Sequence, residues 1–246
     1  MLDSWEYDVL GIYNPNRIGP LYFWYEFLIN EAPKIDGGVL EAGVWRGRSL
    51  LTSALTLAEV APEKKIFGFD SYQGFPTQLD ARDEPSAFKL QYEKGLITEN
   101  HYSRVIKNLY HLGFLKGEFI TSRNVSSSGD FSGTSATQVM SKADYLGLAN
   151  IELVEGEFSN TMKGKFPEKL CAVMLDCDLY SSYETALEFT WSSLSGGGMI
   201  YLDEYYSLKF PGARTAVLDF LRGKDAEVHS RIDEFNGFER CWIIKP

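Results

Sequence analysis

Cysteine, histidine and basic residues are scarce in this chain, and each shortage removes a class of function. Its 246 residues include three cysteines and three histidines. Cys171, Cys177 and Cys241 are odd in number and show no C-x-x-C spacing. That argues against a disulfide framework or a zinc knuckle, and for a reducing, cytoplasmic setting. His101, His111 and His229 fall at no metal-ligand spacing. Only His101, beside a long polar stretch, is kept as a candidate base against the ordinary reading of a core histidine. Lys and Arg number 24 against 34 Asp and Glu, a formal charge of −10, so neither nucleic acid nor an anionic membrane surface is expected as partner. No apolar run reaches the ~18 residues that would cross a bilayer. The start, Met1 to Tyr7, is acidic and aromatic rather than basic then apolar, unlike a signal peptide. The dinucleotide fingerprint G-x-G-x-x-G is missing, and Gly196-Gly197-Gly198 lacks the Lys-Ser/Thr of a phosphate loop, which leaves a turn.

What is present fits one α/β domain over residues 1–246, with 44% hydrophobic residues to fill its core. Short apolar runs alternate with amphipathic segments. Val39-Leu40-Glu41-Ala42-Gly43 reads as a buried strand ending in a glycine turn, and Arg48 to Val60 as a helix with Leu51, Ala54, Leu55 and Ala58 at helical spacing. Further strands are expected at Lys65 to Asp70, Ile151 to Val154, Ala172 to Leu175, Met199 to Leu202 and Cys241 to Lys245. Helices are expected at His101 to Leu112, Ser181 to Leu194 and Ala213 to Arg222. This order implies a doubly wound, mostly parallel sheet with an antiparallel last strand. Residues 1–36 read as an N-terminal helical or lid segment whose Tyr22-Phe23-Trp24-Tyr25 is core in the first instance. Residues 77–145, polar from Thr77 to Glu99 and Ser/Gly-rich from Ser122 to Thr137, read as an insertion or lid over the site.

In such sheets ligands bind beyond the carboxyl ends of the strands, and most of the expected ends carry acids. Glu41 and Gly43 close the first, where the glycine permits a tight turn and a helix N-terminus follows. Asp70 closes the second. A carboxylate there can accept both hydroxyls of a ribose, although Asp also caps helices well. Asp176 and Asp178 follow the fourth strand, and Asp203 and Glu204 the fifth. If those strands are neighbours, up to four carboxylates meet and repel, and a bound cation is the simplest thing to stabilise them. Oxygen ligands without a nearby histidine point to magnesium, manganese or calcium rather than zinc.

The order Glu41-Ala42-Gly43-Val44-Trp45-Arg46-Gly47, then Gly68-Phe69-Asp70-Ser71-Tyr72-Gln73-Gly74-Phe75-Pro76, resembles the macrocin O-methyltransferase family. Leu153 to Thr161, Leu175 to Tyr180, Asp203-Glu204-Tyr205 and Pro211 to Arg214 continue the match in order. The resemblance implies a class I methyltransferase (Rossmann-like) fold, S-adenosylmethionine as methyl donor and magnesium holding a sugar hydroxyl. By the same resemblance Glu41, Gly43, Asp70 and Ser71 line the cofactor, Phe158 and Ser159 lie near its adenine, and Asp176, Asp203 and Glu204 hold the metal. Glu204 stands where the family more often has Asp or Asn, a ligand one methylene longer. The expected reaction is methylation of a hydroxyl on a sugar-containing small molecule, with Asp176 or Asp178 taking the proton. Catechol-methylating enzymes are similar in carrying a Lys three residues beyond the first metal Asp; here Leu179 stands there, which favours an aliphatic sugar. The alternatives are a metal-dependent methyltransferase of a phenolic small molecule and a catalytically inactive cofactor-binding protein. Which sugar is methylated, and whether the chain forms a homo-oligomer, the sequence leaves open.

Overall fold

A computed structural model describes residues 2–234 and 236–246, so Met1 of the expected N-terminal segment and Phe235 lie outside it. Two helices, α1 (Ser4–Leu10) and α2 (Tyr22–Asn30), precede β1 (Gly38–Ala42), α3 (Arg48–Val60) and β2 (Ile66–Asp70). Then come α4 (Ala87–Glu93), α5 (Glu99–Lys116), α6 (Ala136–Tyr145), β3 (Ile151–Glu155) and the single turn α7 (Phe158–Thr161). The chain ends with β4 (Leu170–Leu175), α8 (Tyr180–Trp191), β5 (Leu194–Leu202), α9 (Gly212–Leu221), β6 (Val228–Asp233) and β7 (Phe238–Ile244). The strands form one seven-stranded sheet in the order β3-β2-β1-β4-β5-β7-β6. All pairs up to β5 are parallel, and β7 runs antiparallel to both β5 and β6.

Successive residues of the central strands point to opposite faces, and each face has its own core. Val39, Ile66, Ala172 and Met174 join Trp24, Tyr25 and Leu28 of α2 and Leu50, Leu51 and Leu57 of α3. Leu40, Phe67, Val173 and Ile200 join Tyr183 and Leu187 of α8 and Val217 of α9. Strands covered on both sides read as continuous apolar runs, which is why they were visible in the sequence. The aromatic run of α2 is core, with Trp24 and Tyr25 buried.

Three expectations need adjustment. The helix expected to reach Leu194 stops at Trp191, and Leu194 opens β5. The three glycines therefore lie inside that strand, where the register slips from Leu170↔Leu194 to Ala172↔Met199. Strand β6 carries no apolar pattern, because four of its six residues are exposed at the sheet edge. The polar stretch after Thr77 is not a bare loop: a 3₁₀ turn at Ala81–Asp83 and α4 lie in it, and Phe88 packs with Ile97 and Val105 as a small core of its own. No helix among the described residues is long and apolar enough to cross a membrane.

Candidate active site

From β1 the chain passes to β2 on one side and from β4 to β5 on the other, and a crevice opens beyond the carboxyl ends of β1 and β4. It forms a cleft of about 640 Å³ whose walls include Gly43, Trp45, Asp70, Phe158, Asp176, Asp178, Asp203 and Glu204. The sequence placed chemistry at these ends, and the topology brings them together.

The β1 end is built from inside outward. Glu41 is fully buried, its Oε1 accepts the Ser49 hydroxyl at 2.7 Å, and its Oε2 has no partner. Burial pushes its carboxyl up to about 8. It stands behind the wall; Ser49, which it holds, lines the cleft. Gly43 adopts φ +94°, and a Cβ there would overlap the Asp176 carbonyl oxygen. This glycine therefore serves the close approach of β4 as well as lining the cleft. Asp70 reaches the cleft but is already engaged. Its Oδ2 accepts the Val44 and Trp45 N–H groups, both at 2.8 Å, and its Oδ1 accepts that of Tyr72 at 2.6 Å. A carboxylate has about four acceptor positions, so one remains for a ligand, not two. Ser71 closes the next turn, its hydroxyl donating to the Gly74 carbonyl at 3.2 Å. Phe158 and Ser159, opening α7, line the same end.

At the other end, ladder bonds carry β4 and β5 one residue further: Asp176 N–H donates to Ala42 O and Asp203 N–H to Leu175 O, both at 3.0 Å. Asp176, Asp203 and Glu204 each present a carboxylate oxygen, all within 4.8 Å of one another. Burial holds the Asp176 and Glu204 carboxyls well above their usual range. The nearest carboxylates add to this, Asp203 for Asp176 and Asp178 for Glu204. Asp178, the fourth acid, is pushed up to about 7, by burial first and by Asp203 next. Its backbone sits at φ +59°, a left-handed conformation costly for a non-glycine residue. Its N–H donates to Glu204 Oε2 at 3.3 Å.

Several residues shape the site in ways the sequence did not signal. Tyr183 of α8 accepts the Glu204 N–H at 3.1 Å, and its hydroxyl hydrogen is shared between Leu175 O and Glu204 Oε2, both at 2.8 Å. Arg214 of α9 donates to Tyr205 O at 3.0 Å and steadies the segment after Glu204. Tyr13 arrives from the N-terminal segment, with the Arg48 guanidinium 4.6 Å from its ring centre. Burial, then Asp176, pushes its phenol up to about 12. Across the cleft, Asp130 O accepts the Phe75 N–H at 2.9 Å, and Thr134 donates to Trp45 O at 2.5 Å. Phe131 sits between Trp45 and Phe75, at ring distances of 5.7 and 5.2 Å. Residues 130–134 thus form a strap over the Gly43 side. His101, the candidate base, is a core residue instead: its Nε2 bonds Ser207 O at 2.7 Å, its ring stacks on Tyr206 at 4.1 Å, and burial pulls it down to about 4.

A family model described as macrocin O-methyltransferase (TylF) matches residues 25–119 and 121–242. The 8-demethyl-8-(2,3-dimethoxy-α-L-rhamnosyl)-tetracenomycin-C 4′-O-methyltransferase of Streptomyces olivaceus is 24% identical over 228 residues, 92% of this chain and 72% of that protein. The mycinamicin III 3″-O-methyltransferase of Micromonospora griseorubida is 24% identical over 190 residues. That match takes in 76% of this chain and 61% of the relative, less than two thirds of its length. Among solved structures, the O-methyltransferase NovP and the calicheamicin methyltransferase CalS11 superpose with TM-scores of 0.59 each at 18% identity. The superpositions cover 87% and 89% of this chain and 74% and 76% of theirs, and establish the fold.

Proposed function

The chain belongs to the macrocin O-methyltransferase family and is an O-methyltransferase, from which we propose that it methylates a sugar hydroxyl of a small natural product, using S-adenosylmethionine and a divalent cation. The observation that carries the cation is the convergence of Asp176, Asp203 and Glu204. Three oxygen donors held together against mutual repulsion, with burial raising two of them, are complementary to a hard cation such as magnesium, manganese or calcium. For the methyl donor, the acceptor position left on Asp70 suits a ribose hydroxyl, and Phe158 offers an apolar face on the cleft. The names of the two relatives carry the sugar, since one acts on a rhamnosyl tetracenomycin and the other on mycinamicin III at its 3″-hydroxyl.

When bound, S-adenosylmethionine supplies an electrophilic methyl group and the cation supplies Lewis acidity at the acceptor oxygen. The rest falls to the chain. Asp178, which lines the cleft beside Glu204, would take the hydroxyl proton as general base. Tyr183 holds Glu204 by hydrogen bond and so orients one ligand. Asp70, Phe158 and Ser159 would hold the donor, whose methyl group would pass to the acceptor oxygen at the expense of its bond to sulfur. Leu179 leaves no lysine beside the first Asp, which supports an aliphatic hydroxyl over a catechol. Residues 77–145 act as the cover of the acceptor half, to which Asn108 and Ser126 contribute.

The test is transfer of labelled methyl to a rhamnosylated acceptor. We expect turnover to vanish in excess chelator and return with magnesium or manganese. Asp178→Asn should cut it by about 10²–10⁴ while S-adenosylhomocysteine still binds. Full activity in chelator would remove the cation, and faster transfer to a catechol would favour the phenolic reading.

A further inference from the structure

We propose that the outward face of α5 is the surface on which two copies of this chain pair. The inner face of this helix is committed: Val105 is buried, Leu109 and Leu112 pack against the molecule, and Asn108 donates to Leu208 O at 3.1 Å. The opposite face presents Ile106, Tyr110 and Phe114 at successive turns, 49%, 73% and 81% exposed. A Cβ on Gly113 would lie 3.7 Å from the Glu118 carbonyl oxygen. The chain past the helix end therefore folds back beside the stripe, carrying Phe119, which is 85% exposed. At roughly 150 Å² per ring, the patch is on the order of 500 Å². That is at the top of what a monomer shows and more than half of the ~800 Å² each partner of a stable complex buries.

The shape of the stripe selects its occupant. Ile106 and Phe114 stand four residues either side of Tyr110, so the stripe is symmetric about that residue. A two-fold axis through Tyr110 lays two α5 helices antiparallel, with Tyr110 against its own copy and Ile106 of each copy opposite Phe114 of the other. Such self-complementarity is what an isologous dimer requires. Eighteen residues, about 27 Å of helix, give the crossing enough length. A lipid surface fits less well, because the chain carries a charge of −10 and the stripe bears only Lys107 among basic residues.

Sedimentation of the full chain should show a dimer. Tyr110→Lys places like charges at the axis and should raise the dissociation constant at least ~30-fold with an unchanged circular dichroism spectrum. The three native cysteines are buried, so Tyr110→Cys should give a covalent dimer under mild oxidation. Tyr145→Cys, at an equally open position on α6, 79% exposed, should not. A monomer at every concentration, a dimer indifferent to Tyr110→Lys, or equal crosslinking at both positions overturns the proposal. So does a monomer that binds phosphatidylcholine vesicles through Phe114, which assigns the face to lipid.

Discussion

Asp83 is a fully buried carboxylate, and its environment makes it pH-sensitive. It enters from the segment after β2, and its Oδ1 accepts the Tyr180 N–H at 2.7 Å, at the start of α8. Its Oδ2 has no partner, and Gly212 lies so close that a Cβ there would overlap Oδ1. Burial raises the carboxyl to about 6, against the pull of the Tyr180 N–H. The folded state then binds a proton that the unfolded chain has released. Stability from this group is present below its unfolded value near 4 and is lost as pH rises through about 6. Asp83→Asn keeps an acceptor for Tyr180 and should therefore stabilise the protein at pH 8, by at most about 3 kcal/mol. The gain should fade towards pH 4, and denaturant titration at both values checks it. An equal effect at both would show that the carboxyl does not titrate in this range. The fourfold acid pattern at the strand ends was legible because residue type and strand position announced it. That Asp70 is mostly spent on Val44, Trp45 and Tyr72 was not, because those bonds depend on how separate turns pack.

Among the elements, the loop at residues 126–135, which carries the 130–134 strap, is where opening of the cleft should begin. It is held by a few long-range bonds, among them Thr134 to Trp45 and Arg46 to Gly133 O at 3.1 Å, while Gly129, Asp130, Ser132 and Gly133 are exposed. A segment with few buried contacts opens more cheaply than the central strands. Since Phe131 and Trp45 wall the Gly43 side of the cleft, S-adenosylhomocysteine should slow amide exchange in 126–135 about tenfold or more and leave β4 unchanged. Strong protection of the empty strap would mean it is a fixed wall. The Ser/Gly-rich composition pointed to this loop correctly. It could not reveal the bonds that close it, nor α4, whose single buried aromatic, Phe88, leaves no helical stripe to read. Strand β6 was hidden for the converse reason, since an exposed edge strand has no face to bury and so no period-two signal.

At the scale of the whole molecule, the acid cluster sets how stable the empty protein is. A chain of net charge −10 already carries self-repulsion, and Asp176, Asp203, Glu204 and Asp178 concentrate it inside the cleft. The ladder bonds from Asp176 to Ala42 and from Asp203 to Leu175 fix those groups in place, so the sheet cannot relax to separate them. Folding therefore works against the cluster until a cation binds, and a cation that binds only the folded state stabilises it by mass action. At a hundred times its dissociation constant the gain is about 2.7 kcal/mol, roughly 5–10 °C in melting temperature for a domain of this size. Magnesium or manganese should thus raise Tm without any methyl donor present, and chelator should reverse the rise. Asp176→Asn sharpens the argument, because one substitution should act in opposite directions in the two states. It removes a buried carboxyl crowded by Asp203 and Asp178 with little change in volume, so the chelated variant should melt above the chelated parent. It also removes a ligand, so the variant should gain little from added cation and fall below the cation-loaded parent. Calorimetry of four samples, each protein with cation and with chelator, reads both signs together. If both proteins rise equally with cation, the ion binds elsewhere, and the three carboxylates need another explanation.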